Sequence, residues 1–137
     1  MEGENKKNII IVDDNAAFIE AVKFMLRNHR QLHVSGEAGN VEQFNHLLTL
    51  QTPDLVLMDI MLNEESGIAA VKTVKKQLAK CYFIGVSMSD DINLHREMQK
   101  AGFVSGILKT HFSEHFAKTL ISIANNKTYF PVLNTVE

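Results

Sequence analysis

Five residues carry groups that could act together: Asp13, Asp14, Asp59, Ser87 and Lys109. Each closes a short apolar run. Ile9-Ile10-Ile11-Val12 leads into the first two, Leu55-Val56-Leu57-Met58 into Asp59, Tyr82-Phe83-Ile84-Gly85-Val86 into Ser87, and Val104-Ser105-Gly106-Ile107-Leu108 into Lys109. Three carboxylates gathered in one cleft repel one another, and each resists ionising unless a cation sits among them. A hard divalent ion meets that need. Magnesium takes one or two carboxylates together with waters and phosphate oxygens, so it suits this inventory better than zinc. With such an ion in place, Asp59 has the charge and reach to act as a nucleophile toward a phosphoryl group. Lys109 would then offer an ammonium, and Ser87 a hydroxyl, to the oxygens of that group. Any one of these residues, taken alone, reads better as a polar strand terminus. All five at the ends of four inferred strands carry the expectation.

The elements that must position them follow from the hydrophobic pattern. The four runs, with the weaker Leu32–Ala38, read as five short strands, mostly apolar on both faces. Helices alternate with them. Phe18, Val22, Met25 and Leu26 form one apolar stripe, and Val41, Phe44, Leu47 and Leu48 a second. Ile68, Val71, Val74 and Leu78 form a third, Leu94, Met98 and Ala101 a fourth, and Phe116, Leu120, Ile123 and Ala124 a fifth. Asn40 and the Ser89-Asp90-Asp91 run are expected caps, and Ser113 is expected to cap the last helix. Five strands alternating with helices call for an α/β, doubly wound parallel sheet with helices on both faces. Ligands of such sheets bind outside the carboxyl ends of the strands, where these polar groups fall.

Composition narrows the remaining possibilities. A chain of 137 residues, 45% of them hydrophobic, fits one domain. We divide it into a polar tail at 1–7, the domain at 8–126 and an ordered stub or linker at 127–137. With 14 basic and 16 acidic residues the net charge is −2 and no basic block stands out, so no nucleic-acid contact is expected. Cys81, the single cysteine, excludes an internal disulfide and reads as a small buried hydrophobe in a cytoplasmic protein. No apolar stretch is long enough for a signal peptide or a membrane span. Of the six histidines, His111 and His115 lie four apart, but two ligands without a third read as surface histidines.

Taken as motifs, Ile11-Val12-Asp13-Asp14-Asn15, Leu57-Met58-Asp59-Ile60, Gly67, Val86-Ser87, and Ala101-Gly102 leading to Gly106-Ile107-Leu108-Lys109 resemble the receiver domain of bacterial two-component response regulators. The resemblance runs from Ile9 to Phe130, and Ile121 to Phe130 looks like the end of a receiver of the NarL/FixJ type. It implies a flavodoxin-like fold with strand order 2-1-3-4-5. It also implies that Asp59 accepts phosphoryl from a sensor histidine kinase or phosphotransfer protein. Asp14 would bind Mg2+ directly, Asp13 through water and Met61 through its backbone carbonyl, with Asp59 completing the metal set. Ser87 would be the switch hydroxyl and Lys109 the phosphate-sensing lysine.

Four positions depart from that family's pattern. Asn63 stands where the loop usually has proline, which implies a less rigid loop. Met88 replaces a small residue and is expected to narrow access to the phosphoryl group. Ile107 takes the place of the usual switch aromatic, so activation is expected to run through shifts around Ser89 to Ala101. Thr110 stands where a cis-forming proline usually follows the lysine. Met61 and Ser89 flank the path of an attacking water without an acid or amide to orient it, so self-dephosphorylation is expected to be slow.

The expected output is transcriptional regulation through a DNA-binding domain that this stretch of 137 residues does not contain. A free-standing receiver, or a pseudo-receiver that only binds partners, is the alternative; the second would be expected to have lost an acid or the lysine. A phosphohydrolase would need an acid/base carboxylate two residues after the nucleophile. Met61 holds that position, so the chain is not expected to be an enzyme beyond its own phosphorylation and dephosphorylation. Leu94, Met98, Ile107 and Phe112 are a candidate partner face, with core packing as the competing reading, and a homodimer through the last helices is the remaining partner expectation.

Overall fold

The structure is a computed structural model describing residues 6 to 134; the first five residues of the expected tail and the last three of the chain lie outside it. In chain order the elements are β1 (Lys7–Val12), α1 (Ala16–Leu26), β2 (Leu32–Ala38), α2 (Val41–Leu50) and β3 (Leu55–Asp59). A short hairpin, β4 (Met61–Leu62) and β5 (Glu65–Ser66), leads to α3 (Gly67–Val74), β6 (Tyr82–Ser87), α4 (Ile92–Lys100) and β7 (Ser105–Leu108). A 3-10 turn at Lys109–His111, α5 (Phe112–Ala124) and α6 (Pro131–Asn134) complete the described chain. The five long strands pair in parallel in the order β2-β1-β3-β6-β7. Counting only those five, this is the 2-1-3-4-5 order of a doubly wound sheet.

Alternation along β1 explains the two cores. Ile10 and Val12 point to one face, where they join Val56, Met58 and Phe83 under α2, α3, α4 and α6. Ile9 and Ile11 point to the other, with Leu57, Ile84, Val86 and Ile107 under α1 and α5. Every residue of β3 is buried, as a strand covered on both sides requires. Each fully buried Ile or Phe in these layers contributes about 1.5–3 kcal/mol. The helix starts are local events: Asn15, Asn40, Ser66 and Asp91 each accept a backbone N–H from the first turn they precede. No helix among the described residues is long and apolar enough to cross a membrane.

Five sequence expectations need correction. Lys7 already belongs to β1 rather than to a tail. The third helix ends at Val74, and Leu78 reaches the core from the turns that follow, because apolar spacing alone does not distinguish a last helical turn from a tight coil. Ser113 does not cap α5; the helix begins one residue earlier, behind the 3-10 turn, and its start has no side-chain cap. Met98, Ile107 and Phe112 are at most 7% exposed, so packing accounts for them and they form no partner face. The segment after residue 126 is more than a stub. Tyr129 bridges to Ser105 beside β7, Phe130 is 4% exposed within the core, and α6 packs on α4 and β7.

Candidate functional site

The chain leaves β1 toward β2 on one side and returns through β3 on the other, so the carboxyl ends of β1 and β3 border the switch point of the sheet. Asp13 follows β1 directly, and Asp59 is the last residue of β3. Both are buried, at 2% and 6% exposure, whereas Asp14 is exposed. One carboxylate oxygen from each of the three lies within 4.8 Å of the others. The gathering inferred from the strand ends is therefore present, and Lys109 is part of it. The Lys109 Nζ lies 2.8 Å from Asp13 Oδ2 and 3.5 Å from Asp59 Oδ2, over the face of the Phe18 ring at 4.5 Å.

Backbone donors hold the acids in place. Asn15 N–H donates to Asp13 Oδ1 at 2.8 Å, Met61 N–H to Asp59 Oδ1 at 3.1 Å, and Asn63 N–H to Asp14 Oδ2 at 3.0 Å. The last contact gives the Asn63 departure a physical content, since proline has no N–H to donate. Asn63 also sits at φ 56°, in the left-handed region that asparagine tolerates and proline cannot reach. Gly67 closes the hairpin by donating to Ile60 O at 2.8 Å, and a side chain there would collide with the Asp59 carbonyl.

Electrostatically the site is strained. Burial, and next the Asp13 charge, push the Asp59 carboxyl up to about 6, against the opposing pull of the Met61 N–H and Lys109. For Lys109, burial alone would lower the pKa, but the hydrogen bond to Asp13 and the charges of Asp59 and Asp13 outweigh it and hold the ammonium above its ordinary range. A carboxylate that resists ionising beside two others, with one lysine shared between two of them, is a donor set suited to a hard divalent ion.

Ser87 ends β6 and is 6% exposed. Its hydroxyl engages its own loop: Ser89 N–H donates to Ser87 Oγ at 2.9 Å, and Ser87 Oγ donates to Ser89 O at 3.2 Å. Met88, between them, is 69% exposed, and Ser89 is exposed as well. Ile107 is fully buried. No peptide bond among the described residues is cis, so the chain runs trans from Lys109 to Thr110. His111 and His115 stack at 5.7 Å, and neither belongs to a group of three metal-ligating side chains among the described residues.

Sequence reasoning missed three participants: Phe18 under Lys109, the Asn63 N–H on Asp14, and His95, whose Nε2 lies 2.8 Å from Ser89 O. Only His95 left a visible signal, a histidine inside the stripe that also holds Leu94 and Met98.

Residues 9–120 match the response regulator receiver domain family. Among curated proteins, the chain is 25% identical over 126 residues to the transcriptional regulatory protein DegU of Brevibacillus brevis, covering 92% of this chain and 53% of DegU. It is 30% identical over 112 residues to the transcriptional regulatory protein YdfI of Bacillus subtilis (strain 168), covering 82% and 52%. The chain thus spans about half the length of the curated relatives it matches. Among solved structures, the isolated REC domain of RcsB from Salmonella enterica serovar Typhimurium, in the presence of phosphomimetic BeF3−, superposes with a TM-score of 0.86. That match is 18% identical and covers 96% of this chain and 98% of that one, a likeness of fold.

Proposed function

The chain belongs to the response regulator receiver domain family, and from that premise we propose that Asp59 accepts a phosphoryl group from a phosphohistidine donor and that Mg2+ assists the transfer. The observation that carries this reading is a buried carboxylate, raised to about 6, gathered with two further acids and 3.5 Å from a lysine. Asp14 and Asp59 would hold the ion directly and Asp13 through water, with the Met61 carbonyl as a further protein ligand. When bound, a divalent ion neutralises charge on the transferring oxygens. The chain's own groups do the rest. Asp59 offers one carboxylate oxygen to phosphorus, the P–N bond to the donor imidazole breaks, and the electron pair leaves with that nitrogen. Lys109 turns from Asp13 and Asp59 to an oxygen of the arriving group. The Ser87 hydroxyl leaves Ser89 O and donates to another.

The phosphorylated domain switches an output, which we propose is transcriptional, because DegU and YdfI are transcriptional regulatory proteins that extend well beyond the matched region. A sensor histidine kinase or phosphotransfer protein is the proposed partner, and self-association through the last helices a further one. The test is intact mass after incubation with acetyl phosphate, with Mg2+ or with chelator, beside Asp59→Asn. One added phosphoryl group, dependent on metal, absent in the variant and persisting well beyond seconds, is expected. No gain in the native chain, with Mg2+ binding established independently, would leave a module that only binds partners.

A further inference from the structure

His95 lies outside the phosphoryl-transfer chemistry yet touches the loop that controls Ser87. It is 0% exposed, the only fully buried histidine among the described residues. Its Nε2 is 2.8 Å from Ser89 O. A carbonyl only accepts, so Nε2 must carry the proton. The other ring nitrogen, Nδ1, is buried without a hydrogen-bond partner. The same Ser89 oxygen also takes the Ser87 hydroxyl at 3.2 Å. Both lone pairs of that carbonyl are therefore in use, one by the switch hydroxyl and one by α4.

Release of one donor affects the two unequally. Ser87 can find a new acceptor in a phosphoryl oxygen on Asp59. His95 cannot find one: no solvent reaches it, and its ring already lacks one partner. Stranding Nε2–H as well would leave a second buried polar group of the ring desolvated without a partner. When the hydroxyl turns away and Ser89 shifts, the imidazole has to follow the carbonyl, and the helix that carries it follows too. Ile107, fully buried at the end of the neighbouring strand, offers no ring to swing in its place.

One turn further along α4, Met98 fills the hollow left by two glycines. A Cβ on Gly85 would collide with Met98 Sδ, and one on Gly106 would lie 3.1 Å from Met98 Cε and 3.1 Å from Phe130 Cδ1. Met98 and Phe130 thus share a seat on Gly106, and α6 packs on α4 and β7. A displaced α4 meets the carboxyl-terminal segment directly.

We infer that His95 is a positioning residue that ties the state of the Ser87 hydroxyl to the position of α4, and through Met98 to the segment at Phe130, by way of the Ser89 carbonyl. This rests on the receiver reading above.

The test uses the 15N-labelled chain with Mg2+, with and without beryllofluoride as the phosphoryl mimic. In the native chain, beryllofluoride should shift the Met61 and Ser87 amides, the His95 Nε2–H resonance, and the amides of Leu94, Met98 and Phe130. In His95→Leu, which keeps apolar volume and removes the donor, the Met61 and Ser87 shifts should persist. Those at Leu94, Met98 and Phe130 should fall about threefold or more. His95→Gln, whose amide can still donate, should restore them. An unmoved Nε2–H in the native chain while Met61 and Ser87 respond, or full propagation in His95→Leu, overturns the relay and leaves phosphorylation standing. That native-chain arm decides the matter if His95→Leu does not fold. No response at Met61 and Ser87 overturns both.

Discussion

The two halves of the site are built on opposite principles. Between β1 and β3, Asp13, Asp14 and Asp59 crowd within 4.8 Å, and one lysine is shared between the two buried acids, Asp13 and Asp59, so this half is charged, largely desolvated and under electrostatic strain. At the end of β6, Ser87 and Ser89 hold each other through two neutral hydrogen bonds that ask nothing of the solvent or of an ion. The acid half gains from an added cation or phosphoryl group. The hydroxyl half loses one bond and must rearrange. Strain supplies the response on one side, and exchange of a neutral bond transmits it on the other.

The sharpest way to test that contrast is Asp59→Asn. Ordinarily 3.8, the Asp59 pKa stands at about 6 in the fold. Between those values the folded chain holds a proton that the unfolded chain has lost. Metal-free stability should therefore fall as pH rises through that window and stay low above it, by roughly 1–3 kcal/mol. Asn removes the penalty, so urea titrations without metal should find the variant more stable at pH 8, with the acid-side slope flattened. An unchanged slope would mean the strain lies elsewhere.

Lys109→Met should act in the opposite direction. It leaves Asp13 and Asp59 facing each other without their shared ammonium, and the metal-free chain should lose about 1–3 kcal/mol at pH 8. Combining it with Asp59→Asn should recover a good part of that loss. Simple additivity in the double variant would argue that the lysine works mainly by covering Phe18.

The smallest effect belongs to the hydroxyl half. Ser87→Ala removes a donor and an acceptor in a loop whose neighbours are exposed, and should cost about 1 kcal/mol. Mg2+ affinity, measured by titration calorimetry, should stay as it was. A marked loss of Mg2+ affinity would show the two halves to be coupled before any phosphoryl group arrives.

What the sequence disclosed about this site follows the same division. Asp13, Asp59 and Lys109 were legible because a charge at the end of a buried strand stands out against its apolar run. The core faces were legible because alternation along Ile9 to Val12 is a property of the strand itself. Contacts made by backbone groups were not. Nothing in the identity of Asn63 reveals that its N–H turns toward Asp14, because that depends on a hairpin of two-residue strands. His95 was read as one histidine among six; its role depends on how α4 sits over a loop six residues back. The start of α5 was misread because a 3-10 turn takes up the residues before it without leaving a capping side chain.

The pairing of Tyr129 beside Ser105 also bears on how the molecule behaves in a crowded solution. β7 is the outer strand of the sheet, and an outer strand offers unpaired amides and carbonyls on which another chain can build. Here Tyr129 donates to Val104 O at 2.9 Å and accepts from Gly106 N–H at 3.2 Å, and its carbonyl also takes the Ser105 hydroxyl at 2.8 Å. A chain cut after Asn126 would lay that edge bare together with the hollow under Phe130, turning a closed sheet border into a sticky one. A residue that touches none of the acids thereby helps keep one copy of the molecule from adding strands to the next.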